Sequence, residues 1–391
     1  MRTVLFVACF AALLLVMCGT SSAELGPLEI EIGLSGGNIS NLIKDSTDRG
    51  TSYSTASLDV GLHPASFAEL QFIAQHTMYG QIGDLGNIMY GIGGTLLPLS
   101  EKSPFQLYLT GHYRDREYRE EMSDITSTEF SSGEYDAMLT AAYRVNGATR
   151  IRTGVSYSST SYGLDDIRDR VTSDFFAGIN AALPGRIALD VEGGVTLGNL
   201  DYVPRRTGGI RPDRSYEVLE EGNLNTLYFS PRLSRSVGAR TGVSVTYAYR
   251  EFIEQPDSAV VYGYSTNILS PWASSYEGNA VSITLKTYLV PRLIVSAGAG
   301  YWTKDYLTTV EGEWRPDPFM GGMVRIISTL FARERRDDQR RVFAQVQWPI
   351  AAHSGYIIEP SLHLSHTYNS SSIDVYDYRD FSISTGVTVR L

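Results

Sequence analysis

Residues 381–391 read FSISTGVTVRL. Phe381, Ile383, Thr385, Val387, Val389 and Leu391 are apolar or small, and Ser382, Ser384, Gly386, Thr388 and Arg390 between them are polar or glycine. Successive side chains of a strand point to opposite faces, so this period-two stretch predicts a strand with one apolar and one polar face. The alternation continues to the final residue of the sequence, with no polar tail behind it. An apolar face of that length needs an apolar environment along all of it. A sheet inside a lipid bilayer has one, and such a sheet must close on itself because lipid offers the backbone no hydrogen-bonding partners.

The same alternation recurs along the chain. Leu28, Ile30, Ile32 and Leu34 open it, followed by Ala56 to Leu62, Leu70 to Ala74, Ile88 to Leu96, Phe105 to Tyr113, Tyr135 to Tyr143 and Ile151 to Tyr157. The second half continues with Phe175 to Ala181, Ile187 to Leu197, Leu227 to Leu233, Val243 to Tyr249, Val281 to Leu289, Leu293 to Tyr301, Val342 to Ile350 and Ile358 to Leu364. With the closing stretch this makes about 16 strands, an even number, and amphipathic helical patterns are almost absent.

The connections alternate in length. Ser35 to Ser52, Arg114 to Ser132, Ser158 to Ser173, Gly198 to Asn223, Glu251 to Ser275 and Lys304 to Arg340 are long and polar. Between them lie tight ones: HPAS at His63, NGAT at Asn146, LPGR at Leu183, VPR at Val290 and AAHSG at Ala351. Glycine supplies positive φ and proline presets its own, so these are turns with a mechanism. The predicted fold class is all-β: a transmembrane antiparallel β-barrel with short periplasmic turns at one rim and long extracellular loops at the other.

The amino-terminal stretch agrees with that compartment. Arg2 precedes the apolar run VLFVACFAALLLVMC, Val4 to Cys18, and then GTSSA. A positive start, an apolar region of about 15 residues and small residues before a cut predict a secretory signal peptide over 1–23, with the barrel occupying 24–391. The run is short for a membrane helix of roughly 20 residues. Both cysteines, Cys9 and Cys18, fall within the signal, so the mature chain is expected to hold no disulfide and no cysteine-based metal site. The formal net charge is −10 without a basic block, which argues against a nucleic-acid partner. No linker or low-complexity tract divides the chain. The 25 tyrosines and 37 glycines fit a barrel whose lipid-facing and lumen-facing residues average to moderate polarity.

The ending resembles the carboxy-terminal insertion signal of Gram-negative outer-membrane β-barrel proteins, with Phe381, Ile383, Val387 and Val389 matching and Leu391 standing where that pattern usually has an aromatic residue. DVYDYRD, Asp374 to Asp380, is similar to the last extracellular loop of several porin-like families. The resemblance is to the architecture at large and singles out no one family. It implies an outer-membrane location, insertion by the barrel assembly machinery, contact with outer-membrane lipid, and assembly into homo-oligomers such as trimers.

Residue candidates follow from the faces. If the apolar sets meet lipid, Asp59, Glu69, His112, Asp136, Arg144, Arg150, Arg152, Asp190, Glu192, Arg232 and Lys286 point into the lumen. Arg144, Arg150 and Arg152 flank the Asn146 turn, and Asp190 and Glu192 lie two strands along, roughly 10 Å away. Two readings are open: a charged constriction that selects solutes, or ion pairs that satisfy a polar wall. Tyr113, Tyr157, Tyr247 and Tyr301 recur at the loop-side ends of upward strands, each with an aromatic five residues on (Tyr118, Tyr162, Phe252, Tyr306), and predict an aromatic girdle at the outer interface.

Lys304 to Arg340 holds EGEWRPDP, the apolar GGMVRIISTLF and the charged ARERRDDQRR. It is long enough to be functional: a segment folded into the lumen, an extracellular hairpin, or an additional strand that would disturb the even count.

Signals for catalysis are weak. GLSGG, Gly33 to Gly37, matches the G-x-S-x-G pattern, but a nucleophile elbow needs a helix after the strand and none is expected here. His363 and His366, three apart on a strand, fall on opposite faces and cannot share a metal. No enzyme activity and no cofactor are expected. The function expected is passive diffusion of small hydrophilic solutes. The alternatives are a non-conducting surface barrel whose loops bind a partner, and an export-channel component.

Overall fold

A computed structural model of the protein describes residues 28–41, 50–65, 67–80, 86–97, 103–118, 132–162, 170–200, 222–255, 259–260, 276–290, 292–306, 309–316, 323–351 and 356–391. The expected signal peptide, 1–23, lies outside the described residues.

The first eight barrel strands are β1 (Leu28–Ile39), β2 (Thr51–Ala65), β3 (Ala68–Tyr79), β4 (Asn87–Leu96), β5 (Phe105–Tyr118), β6 (Ser132–Arg144), β7 (Thr149–Tyr162) and β8 (Arg170–Leu183). The second eight are β9 (Ile187–Leu200), β10 (Asn225–Val237), β11 (Thr241–Glu254), β12 (Tyr276–Val290), β13 (Leu293–Tyr306), β14 (Arg336–Gln347), β15 (Ile357–Ser371) and β16 (Tyr378–Arg390). Each pairs antiparallel with the next, and β16 pairs back onto β1, so the sixteen strands form one closed barrel. Each alternating segment of the sequence falls on one of these strands, except that Val342 to Ile350 runs past the end of β14 at Gln347 and Leu391 lies one residue beyond β16. The stretch at 381–391 is the closing strand: Val389 faces Ile32 and Val387 faces Leu34 across the seam.

Arg390 joins the seam to both neighbours, with Nε 2.7 Å from Glu31 on β1 and Nη1 3.3 Å from Glu359 on β15. A closed sheet leaves no unpaired edge, which is what a sheet in lipid requires.

The apolar residues are outside. Leu34, Ile92, Val155, Phe175, Phe229, Ile283, Val342 and Phe381 are exposed on the outer surface. The buried apolar side chains among the described residues are few: Ile30, Ala142, Leu224, Ile373, Tyr376 and Tyr378. Water-soluble domains bury their large apolar side chains; here the arrangement is inverted, and the inner face carries the charges.

The tight-turn rim uses the expected chemistry. Asn146 Oδ1 accepts the Ala148 N–H at 2.8 Å in the β6–β7 turn. The β8–β9 turn sets Gly185 and Arg186 at φ of 81° and 61°, the left-handed region that glycine enters freely. A turn at 238–240 joins β10 to β11, with Gly238 at φ 75°.

At the other rim the strands run further than the apolar pattern. β5 extends to Tyr118, β11 to Glu254, and β14 begins at Arg336, inside segments expected to be loop. Above the apolar band the backbone ladder continues while the side chains no longer need to alternate, so periodicity loses these ends.

Among its described residues Lys304 to Arg340 adds no further barrel strand. Thr309–Pro316 and Met323–Arg333 form a hairpin that pairs with Ala259–Val260 in a separate three-stranded sheet, and the count of sixteen stands. Its side chains lie outside the described residues.

Candidate functional site: the lumen wall

Strand parity places the charged candidates on the inner face. On β6, Tyr135, Leu139 and Tyr143 are exposed outside, so Asp136 and Arg144 point inward. On β7, Ile151, Val155 and Tyr157 are outside, so Arg150 and Arg152 point inward. The same alternation turns Asp59, Glu69, His112, Asp190, Glu192, Arg232 and Lys286 inward.

Arg152 bridges two strands along the wall, with Nη2 3.1 Å from Asp190 Oδ1 and 2.9 Å from Glu192 Oε2. Arg150 donates to the Tyr108 hydroxyl at 2.7 Å with its guanidinium 5.3 Å from the ring centre, and Tyr108 in turn donates to Gln106 at 2.7 Å. Arg144 and Arg150 face each other directly in the ladder. Like charges so placed repel, and the Tyr108 contact of Arg150 moderates this. Arg232 is the ladder partner of Asp190 on the far side of β9. Arg144, Arg150, Asn180, Asp190, Arg232 and Ser234 line a depression of 420 Å³ near the tight-turn rim. Asp190 is the one acid among them and Arg152 already holds it, so the depression presents positive charge.

The wall across the barrel has the opposite sign. In a ring of sixteen strands β1 stands opposite β9. Glu29 and Glu31 on β1, Asp59 on β2, Glu69 on β3 and Glu359 on β15 point inward there. Gln71 donates to Asp59 at 2.8 Å, His63 stands 3.9 Å from Glu29, and Arg390 serves Glu31 and Glu359. Further toward the loop rim, His112 shares a 2.8 Å hydrogen bond with Asp136, and Arg114 lies 3.2 Å from Asp136 and 3.6 Å from Glu134. Tyr108, Arg114 and the Arg390 cluster were not among the sequence candidates. Parity alone marks Arg114 and Tyr108 as inward, whereas the Arg390 cluster needs the β16–β1 register.

Ser35 sits in the middle of β1 with extended chain on both sides, without the strand–turn–helix bend that a nucleophile elbow requires. His363 faces the lumen and stacks 6.4 Å from Phe343, while His366 lies on the other face beside the Asp380 carbonyl. Among the described residues no three His, Asp or Glu side chains converge as a metal site.

The four tyrosines expected to form a girdle occupy outward positions of their strands. Tyr157, Tyr247 and Tyr301 are exposed, and Tyr113 lies 4.7 Å from Tyr135. Their phenols reach polar groups above: Tyr247 donates to Asn279 at 2.5 Å and Tyr301 to Asp338 at 2.7 Å. The partners five residues on are a different matter, because an odd spacing turns a side chain to the opposite face. Tyr306 belongs to a buried network, with its ring 4.1 Å from the Arg335 guanidinium and Tyr376 at 3.6 Å from the same group. The Tyr118 and Tyr162 side chains lie outside the described residues.

Arg335 donates to Asp337 through Nε at 3.0 Å and through Nη2, and Asn369 donates to Asp337 at 3.0 Å. Burial opposes the charge of Arg335, but the Asp337 hydrogen bonds and the tyrosines more than offset it and push its pKa upward. The network holds the foot of segment 307–335 against β13, β15 and the turn before β16.

Among solved structures the chain is similar to a BenF-like porin from Pseudomonas fluorescens Pf-5, with a TM-score of 0.50 and 10% identity over 94% of this chain and 100% of that one. This is the porin fold. OccK2 (OpdF) from Pseudomonas aeruginosa in complex with glucuronate aligns with a TM-score of 0.49 and 9% identity over 94% of this chain and 97% of that one. OccAB1 from Acinetobacter baumannii aligns at 0.47 and 11% over 95% and 99%. No protein-family model and no curated protein matches the sequence. At these identities the likeness concerns the porin fold alone.

Proposed function

We propose that the chain is an outer-membrane channel that passes small hydrophilic solutes by passive diffusion. In this reading residues 1–23 direct export and are removed, and the barrel of 24–391 is inserted by the assembly machinery with its tight turns toward the periplasm. The observation that carries the proposal is the inverted closed barrel: apolar residues ring the outside, and the inner wall is lined by charged side chains. A barrel of sixteen strands encloses an aqueous lumen. The basic wall of Arg144, Arg150 and Arg232 and the acidic wall of Glu29, Asp59 and Glu69 set a field across that lumen, which orients solutes carrying both charges as they pass.

The test is single-channel recording of the detergent-purified mature chain in a planar bilayer. Stable ohmic steps whose ion selectivity changes in Arg150→Glu are expected. Silence from a folded, heat-modifiable barrel would overturn the channel reading and favour the loops as a binding surface.

A further inference from the structure

The outer face of β13 to β16 carries a row that lipid contact alone does not explain. Tyr301 on β13 is the ladder partner of Arg340 on β14, Arg340 of Tyr368 on β15, and Tyr368 of Arg379 on β16. The two tyrosines are exposed on the outer surface, as are both arginines. The Arg379 guanidinium lies 5.4 Å from the Tyr368 ring centre. The next outward row toward the apolar band is Ala299, Val342, His366 and Phe381, with Val342 and Phe381 exposed. Two residues of strand separate the rows, roughly 7 Å. The arginines therefore stand at the upper edge of the apolar band, where headgroups meet acyl chains.

The acids nearby are already engaged. Asp338 accepts the Tyr301 hydroxyl at 2.7 Å, and Asp305 lies 3.5 Å from Arg336. Among the described residues no carboxylate is within ion-pair distance of Arg340 or Arg379. Among the described residues elsewhere on this rim the outward charges are acidic: Asp115 and Glu117 on β5 and Glu251 on β11, with Tyr90 and Tyr249 donating to Asp115 and Glu251. The basic sector is thus local to β14–β16.

We infer that this row is a binding site for the phosphate-bearing headgroup of a lipid in the loop-side leaflet. The inference rests on the membrane placement proposed above. Arginine presents paired donors that match phosphate oxygens. Arg340 and Arg379 are two strands apart, roughly 10 Å at the backbone, so both can reach phosphates of one headgroup. The acyl chains would then descend over Val342, Leu364 and Phe381, and Tyr301 and Tyr368 would flank the headgroup in the interfacial position such rings favour.

The test titrates the folded mature chain in detergent with bisphosphorylated lipid A and with dephosphorylated lipid A, counting bound lipid by native mass spectrometry. The expected result is tighter binding of the phosphorylated lipid, by about fivefold for each arginine engaged. That preference is lost in Arg340→Ala/Arg379→Ala, partly kept in the double lysine variant, and untouched in Arg150→Ala. Equal binding of the two lipids, or a preference that survives the double alanine variant, would overturn the site. Heat modifiability verifies that each variant is folded. Incorporation into lipid vesicles separates the two readings: a barrel that inserts without phosphate preference fails only the lipid site, and one that does not insert fails both.

Discussion

Asp337 is 1% exposed and receives hydrogen bonds from both Arg335 and Asn369. Removing its carboxylate would leave a buried guanidinium with two tyrosine rings and no counter-charge. Breaking a buried pair on one side costs about 3–5 kcal/mol, so Asp337→Ala is expected to destabilise the barrel by that order in urea unfolding followed by tryptophan fluorescence. Replacing both partners with apolar residues, Arg335→Met with Asp337→Leu, removes the stranded charge and recovers most of the loss. It does not recover all of it. Asn369 would still lose one of the two acceptors of its buried amide, keeping only the Tyr376 carbonyl, a cost of about 1–3 kcal/mol. A single variant no less stable than the double one would show that the pair contributes nothing. This network was not legible in ARERRDDQRR, where Arg335 reads as one member of a solvated charge run. Its burial depends on Tyr306 and Tyr376, which are distant in sequence.

At the scale of the element, backbone contacts decide what can be removed. The hairpin Thr309–Pro316 and Met323–Arg333 pairs with itself and with Ala259–Val260, and among the described residues no barrel ladder includes it. Its two ends meet, since the Tyr306 N–H donates to the Arg335 carbonyl at 2.9 Å. Replacing 307–334 with a short Gly/Ser linker is therefore expected to leave the folded, heat-modifiable fraction unchanged; loss of that fraction would mean that the barrel folds around the hairpin. The seam is less tolerant. A Cβ on Gly37 would fall on the Ile383 carbonyl oxygen and crowd the Ser384 backbone of β16, whereas one on Gly147 meets nothing within 4 Å. Gly37→Ala should speed hydrogen exchange across β1 and β16, and Gly147→Ala should not. The strands themselves were legible because lipid on one side and water on the other impose a strict period of two. Their loop-side ends were not, since the ladder there continues without that constraint. The aromatic pairs five residues apart show the same limit: Tyr157, Tyr247 and Tyr301 stand exposed on the outer face, while parity sends Tyr306 to the interior.

For the whole molecule, composition could not separate an inverted barrel from a soluble β-protein; the alternation and the long–short connections did. They also gave the inner face and set Arg144, Arg150 and Arg152 within reach of Asp190 and Glu192, but not which arginine meets the acids, because that follows from ladder register between strands two apart. Arg152 is the clearest case. It lies between Asp190 and Glu192, so Arg152→Gln leaves two lumen carboxylates without their counter-charge, whereas Asp190→Asn removes one of them and leaves the arginine less compensated. If solutes pass along this wall, Arg152→Gln should raise the potassium-to-chloride permeability ratio several-fold and Asp190→Asn should lower it, read as reversal potentials across a salt gradient. The screening length is about 10 Å at 0.1 M salt and about 3 Å at 1 M, so both shifts should shrink toward the wild-type value in concentrated salt. Shifts of opposite sign that fade together would locate the conduction path against β7–β9. Reversal potentials unmoved at low salt, in barrels that still conduct, would mean that ions travel elsewhere in the lumen and that Arg152 serves only to hold the wall.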